Sequence, residues 1–303
     1  MRYRRLGRTE LTVSTIGVGT WQFGGEWGKD FSQGEVDAIL GRAHDLGINL
    51  VDTAECYGDH LSEELVGKAI ARNRDKWVVA TKFGHRYHGL HERTQEWSAQ
   101  EVTEQLERSL RALGTDYIDV YQFHSGGDEV FDQDELWEAL RGQVQAGKIR
   151  HLGISIGSNA NVYQTDRALE VGASVIQLVY SRLDREPEHE VLASCERQDL
   201  GVLAREALAG GLLSGKYAPG TRFTDPADTR SRRPEEHIQQ RLAEVERIRR
   251  DDVPPGTNMA AWALAWCLRP PVVTAVIPGS KSVEQLESNA AAADLDLARD
   301  LRK

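Results

Sequence analysis

Residues 98–124 read SAQEVTEQLERSLRALGTDYIDVYQFH and hold one complete helix-to-strand unit. Ser98 with Glu101 three residues on fits the S-x-x-E capping box, in which the side chains satisfy two orphan backbone N–H groups. The run to Leu113 has helical period, and Gly114 stands where a left-handed residue ends a helix. Tyr117–Phe123 is then a β-branched and aromatic run, which predicts a buried strand.

The same unit recurs outward in both directions. Strands are predicted at Thr15–Gly19, Asn49–Thr53, Trp77–Thr81, Tyr117–Phe123, His151–Ile154, Ser174–Val179, Gly201–Ala204 and Val272–Ile277. Helices follow at Ser32–Leu46, Leu61–Ala71, Ser98–Leu113, Gln133–Ala146, Asn161–Val171, Glu188–Gln198, Asn258–Leu268 and Ser282–Ala293. Ser32 with Glu35 and Ser282 with Gln285 repeat the capping box, and Gly47, Gly147 and Gly172 repeat the stop. Eight such alternations without a composition break predict an α/β protein, a (β/α)8 TIM barrel forming one domain over residues 1–303. Tyr3–Leu6 and Leu11–Val13, around a turn at Gly7–Thr9, predict an N-terminal β-hairpin that plugs the barrel's bottom.

Three connections, Gly84–Trp97, Ser125–Asp132 and Arg205–Pro255, exceed what a barrel needs. All follow strand C-termini, the face on which barrels carry their sites. TRSRRPEE (229–236) and EVERIRRDD (244–252) mix charges of both signs and read as solvated faces.

Composition narrows the function. The 303 residues carry 37 Lys and Arg against 47 Asp and Glu, a net charge of −10, which disfavours a nucleic-acid partner. The most apolar run, Met259–Leu268, is about half the ~20 residues that cross a bilayer. The basic start MRYRRLGRTELTVST lacks an apolar stretch and a small-residue cleavage site, so a cytoplasmic protein is expected. Cys56, Cys195 and Cys267 form no CxxC and no zinc-like spacing with histidine, and no metal is expected.

Three successive strands deliver chemistry to one rim. VDTAECYG (51–58) supplies Asp52 and Tyr57, VVATKFG (78–84) supplies Lys82, and DVYQFH (119–124) supplies His124. A lysine ammonium beside a phenol favours the phenolate and lowers a pKa that starts near ~10. Tyr57 then becomes a usable acid, with Asp52 holding Lys82 charged and His124 hydrogen-bonding a substrate oxygen.

The set D-T-A-x-x-Y-G, T-K and Q-x-H resembles the aldo-keto reductase superfamily. Further stretches extend the resemblance over nearly the whole chain: LGRTELTVSTIGVGTW, ERSLRALGTDYIDVYQFH, GKIRHLGIS, GGLLSGKY and VIPGSKSVEQLESN. It implies reversible hydride transfer between NADPH, or NADH, and a small aldehyde or ketone, with Tyr57 as general acid, Lys82 and Asp52 tuning it, and His124 positioning the carbonyl. It also implies Ser155 and Gln177 at the nicotinamide carboxamide and Leu208, Gly210 and Lys216 along the pyrophosphate. Gly279, Lys281, Gln285 and Asn289 would surround the adenosine phosphate, consistent with a phosphate site after the last two strands. The chain departs from the family pattern at Ile156, at Arg205-Glu206-Ala207 and at Ser288. Arg205, planar, is expected to lie against the nicotinamide in place of an aromatic ring, the alternative being a salt bridge to Glu206 or another acid at the barrel rim.

The same residues allow other readings. Lys82 at a strand end suits a Schiff-base aldolase, although Asp52 would keep it protonated. Some family members are cofactor-sensing regulatory subunits with little turnover. GGLLSGKY is one residue short of a Walker A and places Tyr217 at the magnesium hydroxyl. His85, His88 and His91 in HRYHGLH have a metal-like spacing but no carboxylate motif, and read as loop. Trp21, Trp27, Tyr87 and Trp97 are expected to wall the pocket.

Overall fold

The computed structural model describes residues 1–159 and 161–295, and its main sheet is eight parallel strands in chain order. They are β1 (Val18–Gly19), β2 (Leu50–Asp52), β3 (Val78–Phe83), β4 (Ile118–His124), β5 (Ile149–Ser155), β6 (Ala173–Val179), β7 (Gly201–Arg205) and β8 (Ala275–Val276). The two terminal strands are shorter than predicted because the rest of each run closes the barrel through single bridges, Ile16 to Val276 and Gly19 to Gly279. The Gly17 N–H donates to Val276 O at 2.8 Å, and the Gly19 N–H to Pro278 O at 3.0 Å. A Cβ on Gly19 would lie 2.5 Å from Ile277 O, so only glycine permits this seam.

Helices α1 (Gln33–Asp45), α2 (Leu61–Ile70), α3 (Ala99–Leu113), α4 (Asp134–Gln145), α5 (Val162–Asp166), α6 (Val191–Arg197), α7 (Met259–Cys267) and α8 (Val283–Ala290) occupy the predicted positions. The α5 helix ends early, and its predicted second half is turns. Gly47, Gly114, Gly147 and Gly172 all take the predicted left-handed conformation. The capping box is complete only at Ser32 and Glu35. Ser98 and Ser282 each accept from the N3 backbone N–H. Their partners face elsewhere: Glu101 is bound by Arg108 and Arg86, and Gln285 Oε1 accepts from the Lys281 N–H.

Strand alternation sorts the interior by height. Inward positions run Val78, Ala80, Lys82 on β3, Val120, Gln122 on β4 and Val175, Gln177 on β6. The lower members, with Leu50, Leu203, Ala275 and Ile277, form one buried apolar cluster. The antiparallel hairpin Tyr3–Arg5 with Thr12–Ser14 adds Leu6 and Val13, both fully buried, to that cluster. Burying such side chains contributes roughly 1.5–3 kcal/mol each, so the hairpin is the barrel's floor.

Two of the long connections carry secondary structure of their own. Residues after β3 form a hairpin, His85–Gly89 with Glu92–Gln95. The connection after β7 contains a 17-residue helix, Glu235–Asp251. Ile238, Leu242, Val245 and Ile248 make its buried stripe, while the charged remainder faces outward as expected. Arg230 corrects the reading of TRSRRPEE as solvated, because it is buried and bound to both oxygens of Asp228. Among the described residues, no helix is long and apolar enough to cross a membrane.

Candidate active site

Asp52 ends β2 just above the apolar cluster, and Tyr57 follows on a tight turn. A Cβ on Gly24 would lie 2.6 Å from the Tyr57 carbonyl carbon, so the loop after β1 clamps this turn at van der Waals contact. Lys82 Nζ donates to Asp52 Oδ2 at 2.8 Å and to Thr53 O at 2.6 Å, and lies 3.4 Å from the Tyr57 hydroxyl. The other Asp52 oxygen accepts from Gln177 Nε2 at 2.7 Å and Gln122 Nε2 at 3.2 Å. Asp52 therefore keeps a satisfied charge in a dry place, the condition a buried carboxylate needs.

The electrostatics depart from the expectation in one respect. Burial opposes the Lys82 ammonium, but Asp52 and Tyr57 outweigh it and leave Lys82 above the ordinary lysine value. Tyr57 is pushed up to about 12, because loss of solvent around the phenolate outweighs the pull of Lys82. Tyr57 is thus a neutral phenol throughout the physiological range.

His124, the last residue of β4, meets the Tyr57 ring edge-on at 6.4 Å. Burial, then the positive charges of Lys82, Arg205 and Arg93, hold its imidazole well below the ordinary pKa, so it is neutral. Trp21 stacks near Tyr57 at 6.0 Å. Its indole N–H donates to the buried Glu26, which also binds Arg93 of the loop hairpin.

Above these groups a cavity of about 630 Å³ opens along the ends of β7 and β8 to α8. Asp52, Tyr57, His124, Gln177, Arg205, Leu208, Gly210, Lys216, Gly279, Lys281, Gln285 and Asn289 all line it. Lys82 and Ser155 lie beneath, reaching it through Asp52 and Tyr57 and through Gln177, whose Oε1 accepts from Ser155 Oγ at 3.3 Å. Among the expected aromatic walls, Trp21 and Trp27 face the cavity. Trp97 instead packs behind, against Phe83 and Phe123, and Tyr87 lies off the lining.

A model of the aldo/keto reductase family matches residues 15–300. The chain belongs to the aldo/keto reductase family. It is 34% identical to the Bacillus subtilis protein named uncharacterized oxidoreductase YrpG, over 99% of this chain and 94% of that one. It is 31% identical to an Escherichia coli protein named NADH-specific methylglyoxal reductase, over 97% of this chain and 94% of that one. The solved holo form of aldo-keto reductase AKR11C1 from Bacillus halodurans superposes with a TM-score of 0.81 at 31% identity, covering 98% and 92% of the two chains.

In this aldo-keto reductase the groove's far end is a built polar cradle. Gln285 turns its Oε1 to the Lys281 N–H at 3.0 Å, and Asn289 Nδ2 donates to Ser280 Oγ at 3.1 Å. Gly279 is not in a left-handed turn, and the amide end of Gln22 occupies the space a Cβ would take there. Leu208–Gly211 is bent by left-handed backbone at Ala209, Gly210 and Gly211. A strap crosses the groove where Trp27 pairs with Asp228, and Lys281 Nζ donates to Trp27 O at 2.5 Å. Arg205 lines the cavity, pairs with Glu206 at 3.2 Å and also donates to Ile156 O.

Sequence reasoning missed Gln122 and the Glu26, Glu55 and Arg93 supports. Gln122 had a signal: two residues before His124 on a strand, it shares the inward face. The others sit on loops, where no period reports direction.

Proposed function

We propose that this aldo-keto reductase reversibly reduces an aldehyde or ketone, with Tyr57 delivering the proton to the carbonyl oxygen. The observation that carries the reading is the Tyr57 hydroxyl at the cavity floor, 3.4 Å from a lysine that Asp52 holds charged. NADPH, when bound, supplies the hydride. Leu208, Gly210 and Lys216 would hold its pyrophosphate, Ser155 and Gln177 its carboxamide, and Gly279, Lys281, Gln285 and Asn289 its adenosine phosphate end. The orphaned buried Oε1 of Gln22, packed over Gly279, offers one further acceptor in that groove.

The protein's own residues do the rest. A phenol near 12 is still far more acidic than the alcohol being formed, so Tyr57 can give its proton to the developing alkoxide. The Lys82 ammonium stabilises the phenolate left behind, and Asp52 with Gln122 and Gln177 prevents it from drifting. Neutral His124 supports the carbonyl oxygen beside the phenol. Trp21 and Trp27 exclude water from the floor of the cavity. Lys82, buried and held protonated, is a poor amine nucleophile, which argues against the aldolase reading. Three free, buried cysteines suit a reducing cytoplasm.

The test is oxidation of NADPH and NADH with a panel of carbonyl compounds, methylglyoxal among them, comparing the native chain with Tyr57→Phe. Turnover that falls ~10²–10⁴-fold in the variant with cofactor affinity kept is the expected result. Tight cofactor binding without turnover on any carbonyl would favour a regulatory subunit. Unchanged turnover in Tyr57→Phe, with borohydride trapping an adduct on Lys82, would restore the aldolase.

A further inference from the structure

One wall of the catalytic cavity gathers four metal-ligand side chains that the reaction does not need together. Glu55, Cys56, His85 and His124 each offer one ligand atom, and these atoms all lie within 4.8 Å of one another. Three chain segments converge to make the group: the turn after β2, the first residue of the loop hairpin and the last residue of β4. His124 Nδ1 lies 3.9 Å from Cys56 Sγ and 3.9 Å from Glu55 Oε1, and His85 Nδ1 lies 4.0 Å from that same oxygen.

Two of these side chains have unmet demands. Glu55 Oε2 and His85 Nδ1 are buried without a hydrogen-bond partner, although Glu55 is 3% exposed. Its other oxygen is fixed by the His85 backbone N–H at 2.9 Å. A buried carboxylate with one oxygen unpartnered and the other beside two imidazoles is unfavourable unless something cationic joins it.

Zinc takes nitrogen, sulfur and carboxylate ligands at roughly 2.0–2.3 Å, which gives a tetrahedron with edges of roughly 3.3–3.6 Å. The spacings of 3.9–4.0 Å exceed this by a few tenths of an ångström, and the remaining pairs, at up to 4.8 Å, by as much as about 1.2–1.5 Å, so the side chains must rotate inward to close on an ion. Two imidazoles, one thiolate and one carboxylate favour zinc over magnesium or calcium, which prefer all-oxygen shells. The HRYHGLH spacing was a misleading signal, since His88 binds Thr94 and His91 faces Glu26. His85 alone joins the cluster, with partners distant in sequence.

We propose that Glu55, Cys56, His85 and His124 form a Zn²⁺ site in the wall of the catalytic cavity, and that zinc bound there inhibits the enzyme by taking the His124 ring from the carbonyl. On binding, the Cys56 S–H bond breaks, a Zn–S bond forms and the proton leaves to solvent; nothing is oxidised or reduced. The inhibitory half rests on the role of His124 proposed above, whereas the binding half stands on the cluster alone. This replaces the expectation that the chain holds no metal.

Binding is tested without turnover, by titrating the metal-free, phosphine-reduced full chain with ZnCl₂ in a calorimeter and with CoCl₂ in a spectrophotometer. The expected result is one equivalent of zinc and a thiolate-to-cobalt charge-transfer band. Cys56→Ala should abolish the band, and His85→Asn should weaken zinc at least ~10–100-fold, the loss that even outer-sphere partners carry. Cys195→Ala and Cys267→Ala, remote in the core, should change neither. If Cys56→Ala fails to fold, His85→Asn carries the test by itself. Absence of zinc binding, or binding and spectrum unaltered in Cys56→Ala and His85→Asn, would overturn the site. In the activity assay, zinc should inhibit the native enzyme and spare Cys56→Ala; zinc bound through Cys56 with full turnover would overturn the inhibitory role.

Discussion

Lys82 and Asp52 form an ion pair of 2.8 Å in which neither side chain is more than 5% exposed. Each charge is fully satisfied, Lys82 by Thr53 O as well and Asp52 by two glutamine amides. The pair meets the chemistry at the Tyr57 hydroxyl and, through Asp52, at Gln177 and the cavity lining. Its stability rests on mutual neutralisation and its catalytic effect on these contacts.

Removing one partner leaves the other charge buried and unpaired, which costs about 3–5 kcal/mol. Lys82→Met and Asp52→Asn should each lower stability by that amount in urea unfolding and each impair kcat severely. The double variant Asp52→Asn/Lys82→Met should recover much of the stability and none of the activity. Additive stability losses would show that the two side chains do not interact.

Lys281 stands beside the N-terminus of α8, where backbone N–H groups and its ammonium suit a phosphate. Lys281→Ala should weaken NADPH about 10–100-fold, the ~1.5–3 kcal/mol of a hydrogen bond to a charged group, and NADH far less. Fluorescence titration with both cofactors checks this. Equal losses would mean that the lysine serves the strap through Trp27 and not the 2′-phosphate.

Asp184 tethers the 17-residue helix through both nitrogens of Arg241, at 2.6 and 2.9 Å. Burial opposes its charge, but Arg241 and Ser181 prevail and hold the carboxyl below its ordinary value of 3.8. A depressed folded pKa means that this stabilisation is complete above about pH 5 and disappears as pH falls through the folded value. Asp184→Asn should cost about 1–3 kcal/mol at pH 7 and show a smaller further loss than the native chain on acidification. Thermal unfolding measured from pH 7 down to pH 3 decides it.

Gly7 holds the hairpin floor in place, with φ of +53° and a hypothetical Cβ 2.0 Å from Gly201 N. Gly7→Ala combines a strained backbone, costing ~1–3 kcal/mol, with a backbone clash that must push Leu6 off the apolar cluster. A loss of about 2–4 kcal/mol in chemical denaturation is expected. A change under 0.5 kcal/mol would mean that the hairpin contributes little to the barrel.

The eight βα units, their caps and the rim carrying Asp52, Tyr57, Lys82 and His124 were legible in the sequence. Strand alternation and the positions of serine and glycine are local signals, read over a few residues. The 17-residue helix was not, because its four buried side chains are outnumbered by charges that look like a solvated stretch. Arg230 shows the same limit: it lies in a run of mixed charges, and only the fold shows it buried against Asp228.

What the sequence determined by itself was the barrel, the order of its strands and the residue types delivered to its rim, since these follow from periodicity along the chain. The tertiary structure decided how those residues behave. Burial sets Tyr57 near 12 against the pull of Lys82, and only closure of the barrel removes the solvent responsible. It also brings Glu55, Cys56, His85 and His124 within 4.8 Å of one another from three separate chain segments. Desolvation and convergence depend on distances between segments remote in the chain, and no local pattern records them.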